Sequence, residues 1–302
     1  MIMHSLTIFT PTYNRAHTLA RTYESLCKQT SKDFEWLIID DGSSDGTGKL
    51  IEDWIREKKV QIKYIYKGNG GLHTAYNEAI KNIDTELCVC CDSDDFLPED
   101  AVEVMLRQWS EKGGENLAGI IGLDFDAKTG KPIGGYFPEN LKEGHLIDLY
   151  LQKIHIGDTK QMVRTELMKS VYPIVGFEGE KNFNPIYLLL KIDDTYPWLI
   201  INRNLCFVDY QAADSMSAGI FRQYLDSPRS FAKLRLLEMS LKRNTIKNLI
   251  RVCIHYNSSC ILAGDKDWFR QSPKKFLTIA TRPIGWLLAN YIRFHCSKQS
   301  EG

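Results

Sequence analysis

The stretch CVCCDSDDFL, Cys88–Leu97, is an apolar run that ends in three carboxylates within four positions, Asp92, Asp94 and Asp95. A short apolar run bounded by polar residues reads as a buried strand of a parallel sheet, and ligands of such sheets bind just beyond the carboxyl ends of the strands. Acids this closely spaced do not suit one solvated strand face, because alternate side chains would point back into the core. A positive partner is expected. Asp-x-Asp offers the hard oxygen ligands that Mg²⁺ or Mn²⁺ takes, and substrate phosphates complete the shell of such ions. A diphosphate substrate is therefore the first expectation. Asp95 has a second reading, since it precedes Phe96–Asp100, a fair helix start, and serves equally well as its N-cap.

The composition bounds the rest. Lys plus Arg and Asp plus Glu both total 38, so no global field draws the chain to nucleic acid. The eight Cys are scattered without a zinc spacing, and Cys88, Cys90 and Cys91 lie inside the apolar run as small hydrophobes. Met1–Thr10 has no charged leader region or cleavage site, which together with unpaired thiols points to a cytoplasmic protein. No apolar stretch reaches the roughly 20 residues that span a bilayer. The 302 residues suffice for one large domain with an appendage.

Upstream of the acids the chain alternates strands and helices. Leu6–Phe9 is a strand leading into TPTYNR, Thr10–Arg15, and Ala16–Gln29 has helical spacing. Phe34–Asp40 is a second strand, broken at DDGSSDGT, Asp40–Thr47, before a helix through Leu50, Ile51 and Trp54. Two acids exceed what a turn needs, and Asp41 is placed to accept from a nucleobase or ribose. Gln61–Tyr66 alternates as a third strand. It is followed by Gly68, Gly70 and Gly71, where backbone can approach a ligand closely, and by a helix starting near His73 that aims free N–H groups at the same rim. The pattern predicts a right-handed doubly wound half with its informative loops on one edge.

Downstream, a helix is expected over Pro98–Trp109 and a strand over Leu117–Leu123, then a Gly- and Pro-rich stretch to Gly144 where two halves meet. Asp158–Val163 and Thr165–Tyr172 read as strand and helix, and VGFEGEKNFNP as an acidic loop before a helix over Ile186–Ile192. Glu178 and Glu180 in that loop are the candidates for a general base.

Four segments in order, TPTYNR, IIDDGSSDGT, NGGLHTAYNEAI and CDSDDFLPED, resemble family-2 glycosyltransferases of the GT-A fold. The GFEGEK loop and the DSMS stretch at 214–217 resemble the acceptor half of bacterial members that build surface polysaccharides. The resemblance implies an α/β fold with a mainly parallel central sheet, a GT-A domain over 1–225 (nucleotide-sugar half 1–125, acceptor half 126–225) and a helical carboxyl-terminal extension over 226–302. It implies an inverting transferase that moves a sugar from a nucleotide-diphosphate donor to a saccharide or lipid-linked saccharide in capsular, exopolysaccharide or O-antigen synthesis. Thr12, Tyr13, Arg15, Asp40, Asp41, Asn69, Gly71, His73, Asp92 and Ser93 would contact the donor, with Asp41 on the base and Asp92 on the ribose. Asp94, with Asp92 beside it, would ligate Mn²⁺ or Mg²⁺, and Glu180, with Glu178 second, would be the base. Leu72 stands where relatives often have a basic residue, so phosphate contact passes to His73 or backbone. Glu-Gly-Glu replaces the usual Glu-Asp pair. No Arg precedes a Trp anywhere, so the Q-x-x-R-W motif of processive synthases is absent and single addition is expected. A non-catalytic nucleotide-sugar-binding module is the alternative; a nucleotidyltransferase would open instead with a Gly-rich, basic loop after the first strand.

From Ser227 the pattern turns to helices, Phe231–Leu241, Ile246–Leu262 and Phe276–Phe294. The last mixes Trp286, Leu287, Tyr291 and Phe294 with Lys274, Lys275, Arg282 and Arg293. It suits either peripheral contact with an anionic membrane on the inner face of the plasma membrane or packing on the main domain. Pro283 predicts a break, with Phe276–Thr281 a separate turn or short helix.

Overall fold

The computed structural model describes residues 4–209 and 219–299, so the DSMS stretch lies outside the described residues. Leu6–Thr12 forms β1, buried along its whole length, and it lies parallel to both β2 (Phe34–Asp40) and β4 (Leu87–Cys90). With β3 (Ile62–Tyr66), β5 (Gly119–Asp126), β6 (Glu143–Gly144), β7 (Thr159–Arg164) and β8 (Trp198–Val208), the sheet runs β3-β2-β1-β4-β7-β5-β8-β6. The first four strands are parallel, as is β5 with β8, whereas β7 is antiparallel to both its neighbours and β6 to β8. This is the mixed, mainly parallel sheet expected.

β1 runs three residues further than its apolar pattern predicts, through Pro11. Backbone carbonyls of Ser5 and Phe9 accept from Leu87 and Cys91 on the β4 side, while Thr12 accepts from Asp41 on the other. Pro11 therefore faces the β4 side, beyond the last paired residue, Phe9↔Cys90. Its missing N–H costs no ladder bond there.

The covering helices are α1 (Ala16–Cys27), α2 (Thr47–Glu57), α3 (Leu72–Asn82), α4 (Ala101–Lys112), α5 (Leu146–Leu151) and α6 (Thr165–Val171). One face of the sheet is filled by three stacked aromatics, Tyr23 of α1, Trp36 of β2 and Trp54 of α2, with Tyr23 and Trp54 ring centres 4.4 Å apart. The buried Trp36 indole donates to Thr10 Oγ1 at 2.9 Å, which leaves the polar handle of the largest core side chain satisfied.

Two expectations fail in this region for physical reasons. The helix after the acids begins at Ala101 rather than Pro98, and its N-cap is Asp100. Phe96 is held extended by reciprocal backbone hydrogen bonds with Phe207 of β8, at 3.1 and 2.7 Å, which keeps Asp95 well short of the helix and rules out its capping role. The eleven-residue β8 itself was not foreseen. Its apolar pattern is interrupted at Asn202–Asn204, where the pairing with β5 shifts register.

The chain divides into two compact units, the first of residues 1–70, 74–173 and 195–210, which holds the whole sheet, and the second of 71–73, 174–194 and 211–302. The second contains α7 (Ile186–Asp193), α8 (Ile220–Asp226), α9 (Pro228–Ser240), α10 (Ile246–Ala263), α11 (Trp268–Gln271) and α12 (Lys275–Gln299). Thr245 caps α10 by accepting from Asn248 N, and Gly264 ends it in the left-handed region. Met239, Val252, Cys253, Tyr256 and Cys260 form its core.

α12 is continuous through Pro283, contrary to the predicted break. The turns before the proline are held from α10: Asn257 Nδ2 donates to Thr278 O and Thr281 Oγ1, and Arg282 donates to Asn257 Oδ1. Gly285 lets the two helices approach so closely that a Cβ there would overlap Asn257. Pro283 stands on the exposed face, so the carbonyl it leaves without an intrahelical partner, that of Ile279, belongs to an exposed residue.

Candidate active site

The acidic turn leaves the carboxyl end of β4, and its backbone is pinned from α1. Asp95 N donates to Asp92 O at 3.0 Å, Arg21 Nη2 donates to Asp94 O at 2.6 Å, and Thr22 Oγ1 donates to Asp95 O at 2.7 Å. Arg21 also pairs with Asp209 at 2.8 Å and lies over the Phe96 ring. With its carbonyls held, the turn presents Asp92 exposed and Asp94 half-buried, while Ser93 and Asp95 point inward.

The electrostatics separate the three acids. Burial, with Asp92's charge next, raises the Asp94 carboxyl above the usual range against the pull of Arg15 and Lys160. Burial pushes Asp95 to about 7 and Asp124, at the carboxyl half of β5, to about 6, although Lys160 opposes both shifts. Lys160 of β7 is the internal counter-charge. Burial works to lower it, but Cys206 and the carboxylates of Asp124, Asp95 and Asp92 hold it well above the ordinary lysine range, with Nζ 3.5 Å from Asp95. One buried ammonium therefore faces several carboxylates, those of Asp124, Asp95 and Asp92. Asp92 and Asp94 fit a hard divalent cation bound through one or two carboxylates and completed by phosphate oxygens. Among the described residues no group of three or more His, Cys, Asp or Glu forms a ready metal cage.

The loops after β1 and β2 lock onto each other. Asn14, at φ 52°, receives a Ser43 Oγ contact on its N–H and accepts Ser44 N on its side chain at 2.8 Å. Asp45 accepts from Ala16 N and Thr47 N, so one carboxylate caps the start of both α1 and α2. Tyr13 is half exposed at this edge, while Thr12 is buried with an Oγ1 that has no hydrogen-bond partner among the described residues.

Of the two acids ending β2, Asp40 is enclosed: Oδ1 accepts Ser43 N and Oδ2 accepts the Tyr64 hydroxyl. Asp41 pairs with Lys67 Nζ at 2.5 Å and accepts Gly70 N at 3.0 Å, and Asn69 Nδ2 donates to its backbone oxygen at 2.9 Å. Asp41 thus ties the Gly-rich loop to the end of β2. The structure brings Thr12, Tyr13, Arg15, Asp40, Asp41, Asn69, Asp92, Ser93 and Asp94 into the first unit. Lys67, Arg21, Lys160 and Asp124 were missed by sequence reasoning. Only Lys67 carried a local signal, as the basic residue heading the Gly cluster.

Gly71, His73, Glu178 and Glu180 belong to the second unit. A Cβ on Gly71, whose φ is 92°, would overlap the Lys181 carbonyl, and one on Gly176 would overlap the His73 ring. His73 is buried beside Phe183, so the ring expected to meet phosphate is packed in protein. Glu178 is exposed. Glu180 is buried, and its carboxylate accepts Arg229 N (3.0 Å), Arg229 Nε (3.0 Å) and Ser230 N (2.7 Å) at the first turn of α9. The residue placed first as general base is built into a helix N-terminus.

The sequence pattern described as Glycosyl transferase family 2 matches residues 7–169. Glycosyltransferase GlyA of Streptococcus pneumoniae serotype 4 is 27% identical over 177 residues, 56% of this chain and 23% of that protein, so the chain spans about a quarter of this relative. Among solved structures, S. aureus TarS 1-349 in complex with UDP-GlcNAc superposes with a TM-score of 0.63 at 17% identity, covering 96% of this chain and 87% of that TarS fragment. A mannosyltransferase from Pyrobaculum calidifontis in complex with GDP-Man and Mn²⁺ gives 0.54 at 14% identity, covering 95% and 88%. The fold is that of these GT-A proteins.

Proposed function

The chain belongs to glycosyl transferase family 2, and on that premise we propose that it moves a sugar from a nucleotide-diphosphate donor to a hydroxyl of a saccharide or lipid-linked saccharide, with inversion and one addition per encounter. The observation that carries the reading is the acidic turn: Asp92 and Asp94 stand just past the end of β4, in the same unit as the pinned loops after β1 and β2. Nucleotide sugars in S. aureus TarS and in the Pyrobaculum enzyme, the latter with Mn²⁺, support the choice of donor class.

In this reading Asp94, with Asp92, holds Mn²⁺ or Mg²⁺, which when bound offsets the charge growing on the departing diphosphate. Asp41 accepts from the nucleobase, pre-set by Lys67, and Tyr13 packs on the nucleoside. The acceptor hydroxyl attacks the anomeric carbon as its proton passes to a carboxylate, and the C–O bond to the diphosphate breaks on the opposite face. Glu180 keeps its place under α9, so Glu178 takes the proton. Synthesis of a bacterial surface polysaccharide is the process in which we place the reaction.

A thermal-shift screen of nucleotide-diphosphate sugars with Mn²⁺ tests the donor, because a ligand of the native state raises its melting temperature. NMR of the product then reads the anomeric configuration. One stabilising donor and an inverted product are expected; no stabilisation by any donor, or retention, overturns the reading. Glu178→Gln separates a transferase from a binding module: transfer falls while donor binding persists.

A further inference from the structure

The charge of the chain is sharply divided. Residues 241–302 carry eleven Lys and Arg against three Asp and Glu, whereas residues 1–240 carry twenty-seven against thirty-five. Between Asp267 and Glu301 there is no carboxylate at all. This basic segment contains α12, which buries one face and exposes large apolar side chains on the other, where Tyr291 meets Phe221 of α8 edge-on. Thr278, Gly285, Ala289, Ile292 and Cys296 pack inward, toward α10 where Gly285 meets Asn257. On the opposite side Phe276, Ile279, Trp286, Leu287, Tyr291 and Phe294 are all more than half exposed, Phe276 to 82%.

These side chains recur at helical spacing in a single stripe of about 27 Å, at 1.5 Å per residue from Phe276 to Phe294. A contiguous exposed apolar stripe rimmed by polar and basic residues marks an interaction surface. Along its edge runs a groove of about 800 Å³ lined by Lys266, Trp268, Ile279, Arg282, Pro283 and Trp286. The Arg282 guanidinium lies 4.0 Å from the Trp268 ring centre and makes no ion pair among the described residues.

We propose that the exposed face of α12 docks on an anionic lipid surface, lying in the headgroup layer with its apolar stripe inserted and the surrounding cations on lipid phosphates. Charge decides against a second copy as the occupant. A two-fold contact would set this basic segment against itself, whereas an anionic leaflet complements it. Amphipathic Trp286 and Tyr291 beside Leu287 and Phe294 suit the boundary between headgroups and acyl chains. No helix among the described residues is long and apolar enough to cross a membrane, so α12 lies on the surface rather than spanning it.

Sedimentation of the full chain with phosphatidylcholine vesicles, with and without phosphatidylglycerol, tests this. Binding is expected only with the anionic lipid, and is weakened by high salt. Trp286→Ser/Leu287→Ser/Phe294→Ser should lower vesicle partitioning at least about tenfold, because each deleted side chain removes apolar insertion. Its melting curve should match wild type, since all three positions are exposed. Lys274→Glu/Lys275→Glu should lower binding to anionic vesicles by several-fold on charge alone. Equal sedimentation of wild type and triple variant, or no binding of wild type to anionic vesicles, overturns the proposal. So does a wild-type dimer that the triple variant turns into monomer without any vesicle binding, which assigns the face to a second copy. Donor binding, measured on the same variants, is expected to be unchanged, which keeps this test separate from the transferase reading.

Discussion

Glu180 can be removed in two ways that the structure prices differently. Its carboxylate accepts Arg229 N and Ser230 N at the start of α9, and Ser230 is fully buried. Glu180→Ala strands both N–H groups. Each unsatisfied buried donor costs about 1–3 kcal/mol, and loss of an anion at a helix N-terminus adds about 0.3–1 kcal/mol. The Arg229 side chain is 46% exposed, so its ion pair with Glu180 adds little. These terms sum to about 2–7 kcal/mol, which brackets the roughly 3–5 kcal/mol of breaking a buried charged contact. Glu180→Gln keeps one acceptor but loses the charge and turns an amide N–H₂ toward a donor, for about 1–2 kcal/mol. Thermal melting followed by circular dichroism reads the series: Ala lowest, Gln intermediate, and Arg229→Met within about 1 kcal/mol of wild type. A Glu180→Ala protein melting within about 1 °C of wild type would refute the capping role and return Glu180 to candidacy as the base.

Two further outcomes follow from the same physics. Asp41→Ala should weaken free nucleotide binding by about 1.5–3 kcal/mol in calorimetry, the value of a hydrogen bond to a charged group; unchanged affinity would leave Asp41 only as the anchor of Lys67 and Gly70. His255 of α10 is depressed from 6.5 to about 4 by burial and by the charges of Arg235 and Arg251. The unfolded chain then binds a proton that the folded one refuses, so stability is full above pH 6.5 and falls as the pH drops toward 4. By pH 5 the loss amounts to about 2 kcal/mol, and His255→Gln should abolish that part of the acid slope. Identical slopes for the two proteins would be inconsistent with a half-buried imidazole held neutral in the fold.

The half of the fold nearest the amino terminus was legible because its signals are local. β1 to β4 are short apolar or alternating runs, each ended by turn formers, and the loops that carry the candidate site are those same turns. What could not be read there depends on partners far along the chain. Asp95 looks like a helix cap until β8, a hundred residues on, pulls Phe96 into an extended bridge and Lys160 supplies a counter-charge. β8 hides its own periodicity behind a register shift at Asn202–Asn204. Glu180 has the sequence of a surface glutamate, and only folding brings the start of α9 onto it. In sequence Pro283 marks a break, because an isolated helix loses a hydrogen bond at a proline. Packing of Thr278, Thr281 and Gly285 on Asn257 outweighs that loss.

The most direct measurement is calorimetric binding of the nucleotide-diphosphate sugar picked out by the thermal-shift screen, in Mn²⁺ and in EDTA, to wild type and to Asp94→Asn. Asp92 and Asp94 would repel a diphosphate unless a cation stood between them. Binding to wild type should therefore need Mn²⁺, and Asp94→Asn should lose the enhancement by Mn²⁺ together with transfer. Equal donor affinity of wild type in Mn²⁺ and in EDTA, or full transfer by Asp94→Asn, would contradict the assignment of the acidic turn as the place where the donor is held.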